Sequence, residues 1–279
     1  ADRGEIVHRQ VVSLGHRGGA DAGALAGGQI RDLLAAAARQ RIDIAAVGAS
    51  IPGISRARTG TVWAPNIPGW TDYPLREEIL RALGGLAIPV AIDSDRACSI
   101  LGEAWLGAAR GCADAIFLAV GTGIGAGILV NGELLRGADD IAGAVGWLAL
   151  DRPFRPPYAA CGCFEHHASG AGIAALARQA VAADPTYHGP LREPRELTAR
   201  HLFDAFAADD PVAGEVLRRA IEFWGMAAAN LVSLFNPRKL IFGGGVFGPA
   251  LQFLDAICAE AARWAQPIAM EAVTFEAST

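Results

Sequence analysis

Apolar and polar positions alternate loosely over residues 5–13, EIVHRQVVS, which predicts a strand near the start of the chain. An alanine-rich stretch from Ala22 to Gln40 reads as a helix. It leads into IDIAAVGASIPG, an apolar run closing on a Pro-Gly turn, as a buried strand does. PLREEILRALG, residues 74–84, has helical periodicity and an acidic first turn. PVAIDSD, residues 89–95, is a short β-branched run that opens into the helical segment RACSILGEAWLGAARG. Strands alternating with helices predict a sheet with helices packed on it.

The pattern restarts after Gly111-Cys112. AIFLAVG and AGILVNG read as two strands joined by a glycine-rich loop, and Asn131-Gly132 is a hairpin signal. Residues 163–183, 198–208 and 211–235 read as helices, KLIFGGGV as a buried strand, and 249–264 as a final helix. A boundary near residues 111–114 is expected, dividing a smaller domain over 1–112 from a larger one over 113–279. Asp2-Arg3-Gly4 looks like a hairpin turn whose first strand is missing, so the chain reads as a fragment.

Composition narrows the class of protein. With 52% hydrophobic and 19% charged residues, the chain is a folded globular one. Net charge is -5 and no Lys/Arg cluster is dense enough to grip a nucleic-acid backbone, which argues against nucleic acid as a partner. No apolar run approaches the roughly 18 residues that cross a bilayer, and no signal peptide opens the sequence. Five scattered cysteines suit a reducing cytoplasm.

Four glycines and a threonine fall within GTGIGAG, residues 121–127. Successive amides in such a turn can converge on an anion, with the Thr122 hydroxyl as a further donor. No Lys-Ser or Lys-Thr follows, so it is not a Walker loop, and a strand rather than a helix follows, unlike the dinucleotide fingerprint. A plain hairpin turn is the alternative. In IDSDRACSILGE, Asp95 falls where a strand meets a helix, either as an N-cap or as a general base at the carboxyl end of a strand. Asp93, two positions earlier and expected on the same face, competes for the second role. The glycines at 243–245 would admit a flat ring or close helix packing. Asn66, in APNIPGW, offers a polyol both a donor and an acceptor, or else belongs to a proline turn plugged by Trp70. In CGCFEHH, neither Cys161/Cys163 nor His166/His167 has ordinary zinc spacing, so no metal site is expected, while Glu165 could accept sugar hydroxyls.

The order of these segments resembles the ROK family (repressors, open reading frames and sugar kinases), a branch of the actin-like ATPase superfamily. VGASIPG, GTVWAPNIPGW, PLREEI, SDRACSILGEAWLGAARG, LAVGTGIGAGILVNGELLRGADDIAGAVGW, GCFEHHASG and NPRKLIFGGGV carry the resemblance and span nearly the whole chain. It implies a two-domain α/β actin-like ATPase (ribonuclease H-like) fold with a cleft between domains. It also implies phosphoryl transfer from ATP, with Mg2+, to a sugar hydroxyl. Asp95 matches the family's catalytic aspartate, which leaves Asp93 without a counterpart. Gly121, Thr122, Gly123 and Gly125 match the second phosphate loop, and Gly243, Gly244 and Gly245 the adenosine-proximal turn. Pro52, Gly53, Asn66 and Glu165 match sugar-contacting positions, as does Ser94, which replaces the usual Asn. A homodimer is expected from the same resemblance.

Departures from the family pattern bear on specificity. An Asp-x-Gly-Gly-Thr phosphate loop is not found in the sequence, nor is the usual glycine turn after EAVTFEAST, and weak ATP binding by these residues alone is expected. Ala144 and Trp147 stand where the family's sugar kinases carry Glu and His, and the cysteine cluster is shortened relative to the zinc loop. These changes remove an acceptor and a metal ligand and add an apolar wall. They point to an atypical sugar, less hydroxylated, amino-substituted or stacked on Trp147. The alternative is a sugar-sensing regulatory protein on the same fold.

Overall fold

The computed structural model describes residues 4–279, so the turn predicted at Asp2-Arg3-Gly4 lies mostly outside the described residues. The chain forms two compact units. One runs up to Cys98 and takes in Arg136–Ala142, and the other comprises Ser99–Leu135 and Gly143–Thr279.

In the first unit, helix α1 (Gly19–Arg39) precedes strand β1 (Val47–Ile51), the hairpin β2 (Ile54–Arg56) and β3 (Thr61–Trp63), helix α2 (Leu75–Ala82) and strand β4 (Val90–Ser94). β1 and β4 pair in parallel, with Ser50 opposite Asp93 and Ile51 opposite Ser94. β1 is half-buried rather than fully covered, because alternate side chains face solvent. Its core gathers Ala22, Ile51, Val62, Ala64, Trp70, Tyr73, Leu75, Ile79 and Leu83. Trp70 fills the plug position: its ring stacks on Tyr73 at 4.6 Å and its indole N–H donates to the Gly19 carbonyl at 3.0 Å. The segment Arg136–Ala142 is tied in by Arg136 Nη1 to Asp93 Oδ2 at 2.7 Å and by the Ala57 amide donating to Asp140 at 3.1 Å. The strand expected at 5–13 does not form. No strand pairs with it among the described residues, and Ile6, Val7 and Val11 stay largely exposed, so alternation without a partner gives no sheet.

Helix α3 (Asp95–Leu106) begins in the first unit and continues into the second. The second unit is built on strands β5 (Ala115–Val120), β6 (Ile124–Val130), β7 (Glu133–Leu134), β8 (Lys239–Gly243) and β9 (Thr274–Ala277). Their order is β7-β6-β5-β8-β9, antiparallel through β5–β6–β7 and parallel through β5–β8–β9. Asn131 and Gly132 adopt positive φ, 52° and 80°, and turn β6 into β7 as the hairpin signal predicts. Helices α4 (Tyr158–Cys161), α5 (Cys163–Ala168), α6 (Gly170–Ala183), α7 (Ala199–Ala207), α8 (Pro211–Phe235), α9 (Leu254–Trp264) and α10 (Pro267–Ala272) complete it. The single helix expected over 163–183 is broken at Ser169, which turns extended and caps α6 by accepting from the Gly172 amide. The helix expected over 249–264 likewise opens with a 3-10 segment, Pro249–Phe253. The β2–β3 hairpin, α10 and β9 were not legible as separate elements.

α8 is apolar on most of its circumference, with Leu217, Phe223, Trp224 and Leu231 buried in the core between sheet and helices. Gly225 lets α9 approach, for a β-carbon there would meet Glu260 Cβ at 2.5 Å and the Ile257 carbonyl at 3.1 Å. At Gly214, on the same helix, a β-carbon would meet nothing within 4 Å. Alanine is a better helix former than glycine by about 1 kcal/mol, and overpacking costs about 1–3 kcal/mol. G214A should therefore stabilise the protein and G225A destabilise it, opposite shifts of the urea midpoint for one substitution on one helix.

Candidate active site

In the first unit the chemistry gathers at the carboxyl ends of the two parallel strands. Pro52 and Gly53 leave β1 directly after Ile51, the register partner of Ser94. Gly53 passes so close to the next hairpin strand that a β-carbon would fall 2.0 Å from the Trp63 carbonyl oxygen. Asn66 lies exposed in the loop that follows Ala64, which also lies against Gly53. Ser55 Oγ donates to the Ile92 carbonyl at 2.9 Å and fixes the hairpin to β4. Pro52, Gly53, Ser94 and Asp95 thus share one strand edge, the usual place for ligands on parallel sheets.

Ser94 and Asp95 divide the local work. The strand ends at Ser94 and Asp95 is already helical, so the two-residue alternation that would align Asp93 with Asp95 does not extend to it. The buried Ser94 Oγ accepts from the Ala97 amide at 3.3 Å, so Ser94 is the cap that the sequence pattern offered to Asp95. Asp93 is committed to Arg136 at 2.7 Å. Asp95 is exposed, and its Oδ1 accepts from the Arg96 amide at 2.8 Å. Burial lowers the pKa of the neighbouring Arg96, against the opposing pull of Asp95 and Asp93.

In the second unit Gly121–Gly123 form a tight loop between antiparallel β5 and β6, with the Gly121 amide donating to the Gly123 carbonyl at 2.9 Å. The Ile124 amide donates to Glu165 Oε2 at 2.6 Å. Between these two, the amides of Thr122 and Gly123 find no acceptor among the described residues. The loop carbonyls are held from below: Gly121 accepts from the Gly170 amide at 2.7 Å and Thr122 from Ala171 at 3.4 Å, at the start of α6. Gly125 lies within β6 opposite Ala119.

Gly121, Thr122 and Gly245 line one cavity of about 510 Å³, closed by Gly170, Ala171 and residues 196–200. Gly243 ends β8 where a β-carbon would strike the Phe117 ring at 2.4 Å. Gly244 holds φ +92° with the Val120 carbonyl oxygen 2.5 Å from where a β-carbon would sit, a conformation that only glycine tolerates. Gly245 bares its backbone to open space. Arg178 and Arg200 also line this cavity and take part in no ion pair or hydrogen bond among the described residues; Glu196 adds one carboxylate. Two free amides, two unpaired guanidiniums and exposed glycine backbone suit an anionic ligand carrying a flat group.

Glu165, on α5, is braced against this loop. A β-carbon at Gly123 would meet its Oε2 at 2.8 Å and one at Gly146 would meet it at 3.0 Å, so both glycines make room for the carboxylate. Burial raises its pKa, and the Ile124 amide pulls the other way. Ala144 is half-buried and Trp147 is exposed at the turn beside it.

The CGCFEHH segment builds a hydrogen-bonded cluster. Cys161 Sγ donates to backbone carbonyls, Cys163 is buried, and among the described residues no group of three or more His, Cys, Asp or Glu could hold a metal. His167 is buried, stacked on Phe223 at 4.3 Å, and its Nε2 lies 2.7 Å from Tyr158 Oη. Its Nδ1 has no hydrogen-bond partner among the described residues. A bare lone pair is cheaper to bury than an unbonded N–H, so Nε2 carries the proton, donates to Tyr158, and Tyr158 donates to Asp151 at 3.3 Å. Burial works against ionisation of Asp151, but the Arg152 amide, Tyr158, Arg219 and Arg155 together hold its carboxyl below the usual range. Burial, with His166 and Arg219 nearby, drives His167 down to about 4. Sequence reading did not find this network, because Asp151 and Arg219 stand 68 positions apart.

A sequence model of the ROK family matches residues 2–278. The chain is 31% identical to a glucokinase from Halalkalibacterium halodurans, over 99% of this chain and 84% of that protein. It is 32% identical to a xylose repressor from Caldicellulosiruptor bescii, over 72% of this chain and 50% of that one. Among solved structures, a ROK family glucokinase from Streptomyces griseus, in complex with glucose and AMPPNP, superposes with a TM-score of 0.70 at 29% identity, over 90% of this chain and 82% of that one. The fold is accordingly that of the two-domain α/β actin-like ATPases.

Two measurements check these assignments. Ser94→Ala should cost about 0.5–2 kcal/mol of stability in urea titration, the usual cost of losing a helix cap. His167 is neutral when folded down to about 4, whereas the unfolded chain protonates it near pH 6.5. The unfolded state therefore binds the extra proton in that window, and stability falls as pH drops through it. Urea midpoints taken across that window should fall less steeply for H167Q.

Proposed function

The chain belongs to the ROK family, and from that premise we propose that it transfers the terminal phosphoryl group of ATP to a hydroxyl of a hexose or hexose derivative. The carrying observation is the pair of unengaged amides at Thr122 and Gly123, on a hairpin whose cavity also holds Arg178, Arg200 and the bared Gly245 backbone. When bound, ATP supplies the phosphoryl group, and Mg2+ enters with it to offset phosphate charge. Gly121, Thr122, Gly123 and Gly125 would hold the phosphates, and Gly243, Gly244 and Gly245 the adenosine side. The glucokinase relative and the glucokinase structure solved with glucose and AMPPNP support this reading.

Asp95 is the catalytic residue of the proposal. As an exposed carboxylate at a strand end, it accepts the proton of the attacking hydroxyl, while Arg136 keeps Asp93 occupied. Ser94 positions Asp95 by capping the helix on which it sits. Pro52, Gly53, Asn66 and Glu165 would receive the sugar, with Glu165 also bracing the phosphate hairpin through Ile124. Glu165 thereby couples the sugar side of the second unit to its phosphate side. Ala144 offers no polar group and Trp147 only an indole N–H donor, so fewer hydroxyls can be met there than at a Glu and a His.

A sensor built on the same fold is the second reading, supported by the xylose repressor match. Both readings are decided on the full chain. Asp95→Asn should lower kcat by on the order of 10²–10⁴-fold with sugar-induced thermal stabilisation retained. A loss of only a few-fold removes Asp95 from the role, and stabilisation by sugar with no turnover under Mg-ATP would establish the sensor instead.

A further inference from the structure

A second cavity, of about 480 Å³, opens in the unit that carries Glu165 and belongs to none of the phosphate-side residues. Its walls are aromatic and aliphatic: Trp147, Leu150, Phe154 and Tyr158, floored by Gly162 and Cys163. Trp147 is 57% and Phe154 71% exposed, so folding leaves two large rings in water at its mouth. Phe154 meets Tyr158 edge-on at 5.9 Å, and Tyr158 offers the cavity only its ring, since its hydroxyl is taken by His167 and Asp151. The Asp151 carboxylate, also in the wall, is engaged by Tyr158, Arg155 and Arg219. Arg152 and the indole N–H of Trp147 bring polar groups with no partner among the described residues. Such a lining suits an apolar ring with little polarity, and its size falls in the range of small-molecule pockets.

The cavity is built from the same backbone that positions Glu165. Gly146 lies against the Glu165 carboxylate, and Trp147 is the next residue. Gly162, which precedes α5, packs so tightly on this turn that a β-carbon would fall 2.4 Å from the Gly146 oxygen and 2.6 Å from Trp147 Cα. Residues 146–147 and 162–165 therefore carry both the carboxylate and the aromatic wall.

We propose that the sugar received by Glu165 bears a second ring, and that this aglycone lodges between Trp147, Phe154 and Tyr158, so that the substrate class is a glycoside rather than a free hexose. This rests on Glu165 being a sugar ligand. The saturated C–H face of a second sugar and an aryl group satisfy the same walls. Phe154 makes the inference open to test, because its exposed ring can be removed without touching the core.

The experiment measures binding to the full chain by titration calorimetry without nucleotide, using matched methyl and phenyl glycosides of glucose, mannose and N-acetylglucosamine in both anomers. For at least one sugar, the phenyl glycoside should bind about tenfold more tightly than its methyl counterpart, and this advantage should shrink below about threefold in Phe154→Ala. A disaccharide sharing the preferred anomer should lose affinity in the same variant. Equal affinity of every methyl and phenyl pair overturns the inference, even if a free hexose is phosphorylated. So does an undiminished phenyl advantage in both Phe154→Ala and Trp147→Ala, or a change of oligomeric state in those variants with the affinity ratio intact, which would make the aromatic patch a subunit contact. A phenyl advantage that depends on Phe154, with no phosphoryl transfer to any glycoside or hexose, leaves the cavity assigned and defeats the kinase reading instead.

Discussion

The hydrogen bond from the Ile124 amide to Glu165 ties the glycine hairpin of the second unit to helix α5. Withdrawing a carboxylate from water is costly unless donors meet it, and the half-buried Glu165 is met by a backbone amide at the mouth of a hairpin. Two glycines, Gly123 and Gly146, stand where side chains would collide with that carboxylate. With Ile124 engaged from one side and α6 holding the carbonyls of Gly121 and Thr122 from the other, the loop has one shape. What it cannot satisfy internally, the amides at Thr122 and Gly123, it presents outward. A turn that looks like spare glycine in the sequence is in this sense preorganised, its donors aimed before any ligand arrives.

The first unit solves the matching problem with a serine. At a strand-to-helix junction some side chain must satisfy the orphan amides of the first turn. Ser94 does so from a buried position, accepting from the Ala97 amide. Asp93 is held by Arg136, a residue 43 positions further on, while Asp95, two residues along, is exposed and accepts from the Arg96 amide. Environment, rather than residue type, distinguishes them.

Much of the architecture could be read from pattern. Long amphipathic stretches such as 211–235 and the Asn131-Gly132 turn formed where their periodicity and turn chemistry placed them, since both are local properties. The failures were of two kinds. Residues 5–13 have the alternation of a strand, but a strand exists only through a partner, and alternation says nothing about partners. The break at Ser169 was hidden because a serine inside an apolar, alanine-rich run reads as tolerated, although its hydroxyl can equally start a new helix. Of the site, the glycines and Asp95 were legible as candidates because glycine clusters and strand-end acids are rare enough to attract notice. Arg178, Arg200 and the Asp151–Tyr158–His167 network were not. Single arginines on helices look like solvated charge, and Asp151, Tyr158 and His167 stand 7 and 9 positions apart, spacings that together match no single helix or strand period, while Arg219 joins Asp151 from 68 positions away.

The short return of Arg136–Ala142 to the first unit makes that unit discontinuous in the chain. Its anchors, Asp93 and Ala57, are synthesised well before Arg136 and Asp140, and β5, β6 and β7 all emerge in between. During translation the contacts of Arg136 and Asp140 with the first unit can form only after the leading strands of the second have been synthesised. Neighbours in the folded unit are here separated in the order of synthesis by the length of three strands.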